Sequence, residues 1–130
     1  MNNYNPIISS FYVSNTQGSA CAILAREDEK NSIPLSIYIL GFPLKEPIKS
    51  TLHLTMSTST MPIYDTYEEL DINTTTIPEE NFIDDNYFGA SLVLNTAAVT
   101  LPENDYLTIN IELIHNKQIL STKETTVFVK

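Results

Sequence analysis

The chain is poor in the residues that disulfide frameworks and phosphate-binding loops require. It has one cysteine, three glycines and no tryptophan in 130 residues. A single cysteine excludes an internal disulfide, and three glycines exclude a glycine-rich phosphate loop. Cys21 lies in the apolar run 20–24, a setting typical of a small buried hydrophobe rather than a nucleophile.

Basic residues are also scarce. Seven lysines and arginines stand against sixteen acids, which gives a formal charge of −9 and a predicted pI of about 4.4. Scattered basic residues cannot neutralise many phosphates, so we expect neither nucleic-acid binding nor contact with an anionic membrane. The acidic balance favours a basic protein partner.

The sequence has neither a long apolar run nor a basic, apolar N-terminus. Without about 20 consecutive apolar residues it predicts no membrane helix. The start, Met1 to Pro6, lacks the features of a secretory signal. We therefore expect a cytoplasmic protein forming one domain over residues 1–130, a typical domain length.

What the chain has in abundance is the period-two pattern of half-buried strands. Leu107, Ile109, Ile111 and Leu113 alternate with polar residues, and a polar break at 115–118 separates them from a last β-branched run. A short helical start is indicated at Thr76, with Pro78 in its first turn. The remaining predicted strands cover 7–13, 20–25, 35–39, 52–56, 67–72, 88–94 and 97–101.

These strands predict an all-β fold, an antiparallel β-sandwich of seven to nine short strands. The closing stretch resembles the end of immunoglobulin-like sandwiches: a turn, a tyrosine, an alternating strand, a hairpin and a last strand. Asp105 and Tyr106 occupy the place where such domains often have a corner tyrosine, although Tyr106 shares its face with Thr108 and Asn110. The resemblance implies an immunoglobulin-like architecture and no particular function.

Candidate catalytic groups are few. His53 lies on the polar face of its strand and His115 at a hairpin tip, so we expect both to be solvated. No Gly-x-Ser-x-Gly motif and no zinc spacing occurs. We therefore predict no enzymatic activity, no catalytic or metal-binding residue and no cofactor.

Calcium binding stays open as an alternative. Asp84, Asp85 and Asn86 could supply oxygen ligands, with Asp65, Glu68 or Asp105 added by folding. The competing interpretation is a solvated acidic loop. A carbohydrate is the other ligand that a β-sandwich module of this size could bind.

The segment between Tyr64 and Phe88 combines aromatic residues with acids, as protein-binding surfaces do. We predict a non-enzymatic interaction or assembly module that binds a basic partner, for example as an accessory or inhibitory protein. Pairing of a partner strand with 125–129 is a second route, and a homo-oligomer stays open. The predicted partner-binding residues are Tyr64, Tyr67, Phe82, Asp84, Asp85 and Tyr87.

Overall fold

Strands make up most of the part of the chain that the computed structural model describes, residues 4–15, 17–45, 49–70, 72 and 77–130. Within these ranges, seven strands are at least seven residues long and three have only two residues. A single 3₁₀ turn, Glu79–Asn81, interrupts them, and none of the described helices is long and apolar enough to cross a membrane. In chain order the strands are β1 (Ile7–Val13), β2 (Ile23–Leu24), β3 (Lys30–Asn31), β4 (Pro34–Pro43), β5 (Ser50–Thr58), β6 (Pro62–Leu70), β7 (Tyr87–Asn95), β8 (Val99–Thr100), β9 (Asp105–His115) and β10 (Gln118–Val129).

The long strands form two sheets that pack face to face. One sheet has the order β1-β4-β7 and the other the order β2-β10-β9-β5-β6, while β3 and β8 form a separate short pair. Neighbouring strands are antiparallel, except that β2 runs parallel to β10. This arrangement matches strands A, B and E of an immunoglobulin-like sandwich in one sheet and G, F, C and C′ in the other. The predicted all-β, immunoglobulin-like sandwich is confirmed.

Alternating apolar residues build the core between the sheets. Leu35, Ile37 and Ile39 of β4 face the centre and are fully buried. Opposite them, Leu54 of β5 and Ile109 of β9 are also without solvent exposure. Each such side chain stabilises the fold by about 1.5–3 kcal/mol relative to an exposed one. The period-two pattern therefore sets which face of each strand points inward.

The second predicted strand is wrong in extent. Residues 20–25 were expected to form one strand, but only Ile23–Leu24 does so, at the edge of the five-stranded sheet, while Ala20 forms an isolated bridge with Ser14. Ile23 is exposed, and Cys21 is half-buried against the core. This run is a short edge segment that packs on the core from one side. Its apolar residues therefore do not alternate with polar ones.

Other elements also differ in length from their predictions, among them the strand expected at 97–101, of which only Val99–Thr100 forms a strand. The strand expected at 67–72 begins earlier, since β6 runs over Pro62–Leu70, with proline as its first residue on an edge strand. The helical start shrinks to the 3₁₀ turn after Pro78, and its predicted cap, Thr76, lies outside the described residues.

Left-handed backbone marks two sharp changes of direction. Asn116 and Lys117, with φ of 49° and 62°, form the two-residue turn that joins β9 to β10. Two positive φ values in succession are the mark of a type I′ hairpin turn. Gly41, with φ of 98°, lies where the pairing of β4 with β7 shifts register. There its backbone approaches Asn5 so closely that an added Cβ would lie 2.8 Å from the Asn5 carbonyl oxygen.

Candidate functional site

The outer face of the five-stranded sheet carries acids but no lysine or arginine among its described outward positions. We call its outward-pointing positions the acidic face. They alternate with the positions of β5, β6, β9 and β10 that face the other sheet, and among the described residues none of them is lysine or arginine; Lys123 of β10 is exposed but pairs with the inward-facing Ile111. The ionisable and aromatic residues of the acidic face are His53, Asp65, Tyr67, Glu69, Tyr106, Glu112, Glu124 and Phe128.

His53 lies at the centre of this face and joins three strands. In the register, β5 places it opposite Glu112 of β9 on one side and Tyr67 of β6 on the other. The His53 Nδ1 atom is 2.7 Å from Glu112 Oε1, and Nε2 is 2.7 Å from Asp65 Oδ1. Both ring nitrogens are therefore held by carboxylates.

This geometry requires a charged imidazole. A neutral ring has one N–H donor and one acceptor nitrogen, whereas two hydrogen bonds to carboxylates need two donors. Burial lowers the pKa of His53, but the hydrogen bonds and charges of Glu112 and Asp65 together outweigh burial and raise that pKa above its usual 6.5. The bridge is thus a carboxylate–imidazolium–carboxylate chain across β6, β5 and β9.

Tyr67 covers the imidazole. The two rings are nearly parallel, at 3° to each other, with their centroids 4.2 Å apart. The His53 side chain is only 17% exposed, although it stands on the outside of a sheet. The expectation that His53 is solvated is therefore wrong: a cross-strand aromatic neighbour, absent from any local pattern, shields the ring.

The bridge does not have the arrangement of a catalytic dyad or triad. A histidine acting as general base needs one ring nitrogen oriented by an acid and the other directed at a nucleophile. Here a carboxylate occupies each nitrogen. What His53 can do in this position is hold a proton, tie the edge strand β6 to β9 through β5, and offset part of the charge of two acids.

A row of apolar side chains lies at one end of the acidic face. Tyr106 of β9 pairs with Phe128 of β10, which in turn pairs with Ile23 of β2. The rings of Tyr106 and Phe128 meet edge to face, with centroids 5.5 Å apart. Tyr106 and Ile23 are largely exposed, so this row presents apolar surface to solvent. Tyr106 points outward as its alternation with Thr108 predicts, and does not form a buried corner.

The fold separates the predicted partner-binding residues. Tyr67 belongs to the acidic face, where it is exposed. Tyr64 points the other way and is half-buried against the core, with its hydroxyl accepting a hydrogen bond from the Ala97 N–H beyond the end of β7.

The other predicted partner-binding residues lie in the loop before β7 and at the first residue of that strand, which belongs to the three-stranded sheet. Phe82 bridges to Phe88, Asp85 is exposed, and the ring of Tyr87 contacts Tyr4 edge to face at 5.0 Å. The carboxylate of Asp84 accepts hydrogen bonds from the Asn86 and Tyr87 N–H groups, as in an Asx turn. Tyr67 is thus in the five-stranded sheet, whereas this second group lies in the loop before β7 and at the start of β7.

Candidate calcium ligands do not converge in the described part of the chain. No three His, Cys, Asp or Glu side chains there are arranged to hold a metal ion. Asp84 binds its own loop, Asp65 binds His53, and Asp105 binds the hydroxyl and N–H of Ser59. The Ser59 hydroxyl hydrogen bond, with help from backbone N–H groups, lowers the pKa of Asp105.

Sequence reasoning missed the acids that surround His53. Asp65 is a candidate calcium ligand in the sequence, and Glu112 is one of the polar residues that alternate with the apolar residues of its strand. A signal was available, because His53 and Glu112 both occupy polar positions of strands predicted from strict alternation. Bringing the two together required the pairing of β5 with β9, which spans 59 residues of chain.

The opposite outer face, on the three-stranded sheet, has a different character. We call the outward positions of β1, β4 and β7 the neutral face, because none of them carries a charged side chain among the described residues. Its residues are Ile7, Ser10, Tyr12, Pro34, Ser36, Tyr38, Leu40, Gly89, Ser91, Val93 and Asn95.

Comparison with solved structures supports the sandwich fold. No protein-family model matches the chain, and no curated protein matches it. Among solved structures, a putative beta-galactosidase from Bacteroides fragilis matches with a TM-score of 0.52 and 8% sequence identity. The match covers 93% of this chain but only 17% of the galactosidase chain. At this identity the likeness shows a shared fold and nothing further.

Proposed function

We propose that this chain is a non-enzymatic interaction or assembly module of the cytoplasm whose acidic face binds a basic partner protein. The observation that carries the proposal is that every acid on that face lacks a lysine or arginine neighbour among the described outward positions, while exposed aromatic rings lie beside them. On an ordinary solvated surface both charge signs are interspersed.

Each part of the face contributes differently to binding. Glu69 and Glu124 are exposed, so they accelerate encounter with a basic surface and select against acidic ones. Tyr67 and Tyr106 supply large, rigid contact areas of the kind that dominate binding energy in interfaces. The His53 bridge keeps β6, which carries Tyr67, aligned with the rest of the sheet.

The proposal is tested by affinity capture from a lysate of the source organism with three tagged forms of the chain. Wild type should retain one stoichiometric basic partner, and Glu124→Lys should lose it because the reversed charge repels that partner. Ser91→Lys is the matched control: it adds the same side chain at an exposed strand position of the neutral face and should retain the partner.

Elution with salt distinguishes binding through charged residues from binding through apolar contacts. Exposed charges more than about 8 Å apart are screened at physiological ionic strength, so higher salt should release the partner. If the captured protein is acidic, or if Glu124→Lys and Ser91→Lys behave alike, the acidic face does not bind it.

The alternative function, binding of calcium or a carbohydrate, is addressed by thermal melting with each ligand added. A ligand that binds only the folded state raises the melting temperature. An unchanged melting temperature with calcium and with a panel of glycans is the result that the interaction module predicts.

A further inference from the structure

The neutral face presents apolar side chains that the fold itself does not cover. Tyr38 and Leu40 lie on the central strand β4; Ile7 of β1 pairs with Leu40, and Val93 of β7 pairs with Ser36, diagonal to Tyr38. All four are exposed, and Val93 reaches 71%. Because the register places them on three adjacent strands, they form one patch and are not isolated surface residues.

The charge of the chain limits what can cover this patch. Charged residues make up 18% of the sequence and the net charge is −9, yet the described outward positions of β1, β4 and β7 carry none. A charged partner surface would lose its hydration against this patch without gaining a counter-charge, which is unfavourable. The occupant must therefore be uncharged and partly apolar where it makes contact.

A second copy of the chain meets this requirement. Two copies that approach through their acidic faces bring like charges together, whereas two neutral faces bring none. The patch is also suited to a two-fold axis, because an isologous interface pairs the same surface on both subunits and β4, with Tyr38, lies at the middle of the sheet. We propose that the chain forms a homodimer through the neutral faces of two copies, which leaves both acidic faces outward.

The two faces then respond to salt in opposite directions. Partner binding by the acidic face is an attraction between unlike charges, so salt weakens it. Dimerisation joins two chains of charge −9 through uncharged surfaces. Salt screens the remaining repulsion and strengthens this association.

Sedimentation equilibrium of the untagged full chain tests the proposal. At protein concentrations from about 10 μM to about 1 mM, the mass should rise from the 14.6 kDa of one chain toward twice that value. The midpoint of the rise should fall to lower protein concentration when salt is raised from roughly 50 to 500 mM.

Matched variants locate the interface. Val93→Glu places a charge in the patch and should reduce the association constant at least tenfold, while Thr122→Glu, at an exposed strand position of the acidic face, should leave it within about twofold. Circular dichroism melts verify that both variants fold, and Tyr38→Ser repeats the test without adding charge. A mass that stays at one chain under all conditions overturns the proposal, as does a dimer that Thr122→Glu disrupts and Val93→Glu does not.

Discussion

Raising the pH should weaken the folded state by removing the proton with which His53 binds two carboxylates at once. Because Glu112 and Asp65 raise the pKa of His53 above 6.5, the folded chain binds this proton more tightly than the unfolded chain does. The stabilisation is therefore fully present below pH 6.5 and is lost as the pH rises through the higher pKa of the folded state. Since one proton is involved, the slope attributable to His53 cannot exceed about 1.4 kcal/mol per pH unit.

The size of the stabilisation by His53 depends on how exposed the two carboxylates are. The Glu112 side chain is 27% exposed and that of Asp65 is 69% exposed. A hydrogen bond to a charged group contributes about 1.5–3 kcal/mol when shielded, but an exposed ion pair contributes under about 1 kcal/mol. We therefore expect His53→Gln to lower the free energy of unfolding by about 2 kcal/mol near pH 6, mostly through the lost Glu112 contact.

Urea unfolding of wild type and His53→Gln from about pH 6 to pH 9 measures this effect. The difference between them should shrink with rising pH to less than about 1 kcal/mol, because the deprotonated ring turns an acceptor nitrogen toward one carboxylate. His115→Gln, which changes the chain's other histidine at the end of β9, is the control for removing a histidine. A difference between wild type and His53→Gln that is constant or grows with pH would refute the imidazolium bridge.

Four further changes test the fold by urea unfolding. Gly18→Ala should cost about 1 kcal/mol, because its φ of 81° is unfavourable while its surroundings are open. Gly41→Ala should cost at least about 1 kcal/mol more, since its Cβ would also collide with the Asn5 carbonyl oxygen; equal costs would refute that close approach. Lys117→Gly should stabilise the chain by up to about 1 kcal/mol by relieving left-handed backbone in the hairpin turn, and a loss of stability would contradict the type I′ turn. Leu54→Ala should cost about 2–5 kcal/mol because its side chain is fully buried, and a cost under about 1 kcal/mol would place it outside the core.

The fold could be predicted where local pattern and tertiary contact agree. Strict alternation in β4, β5 and β9 reflects one buried and one open face, so these strands and the final hairpin were found from the sequence. The alternation of apolar and polar residues did not predict the strand at 20–25 correctly, because an edge segment that packs from one side has no regular period. It also could not set the length of β6, whose pairing with β5 extends back to Pro62.

The candidate site was less accessible to sequence reasoning, because its parts come from distant strands. His53, Asp65 and Glu112 are each an ordinary polar residue in their own segment. Only the order β9-β5-β6 makes them neighbours, and the sequence carries no signal for strand order. The segment between Tyr64 and Phe88 is rich in aromatic residues and acids, but in the fold these residues lie on β6, in the loop before β7 and on β7, and so do not form one surface.

The measurement that tests the central claim most directly is the affinity of the captured partner for the chain as a function of salt, by calorimetry with wild type, Glu124→Lys and Ser91→Lys. Recognition by the acidic face predicts that affinity falls with rising salt, that Glu124→Lys binds at least tenfold more weakly, and that Ser91→Lys binds like wild type at the same salt concentration. An affinity that salt leaves unchanged, or one that Ser91→Lys reduces and Glu124→Lys does not, would contradict the account.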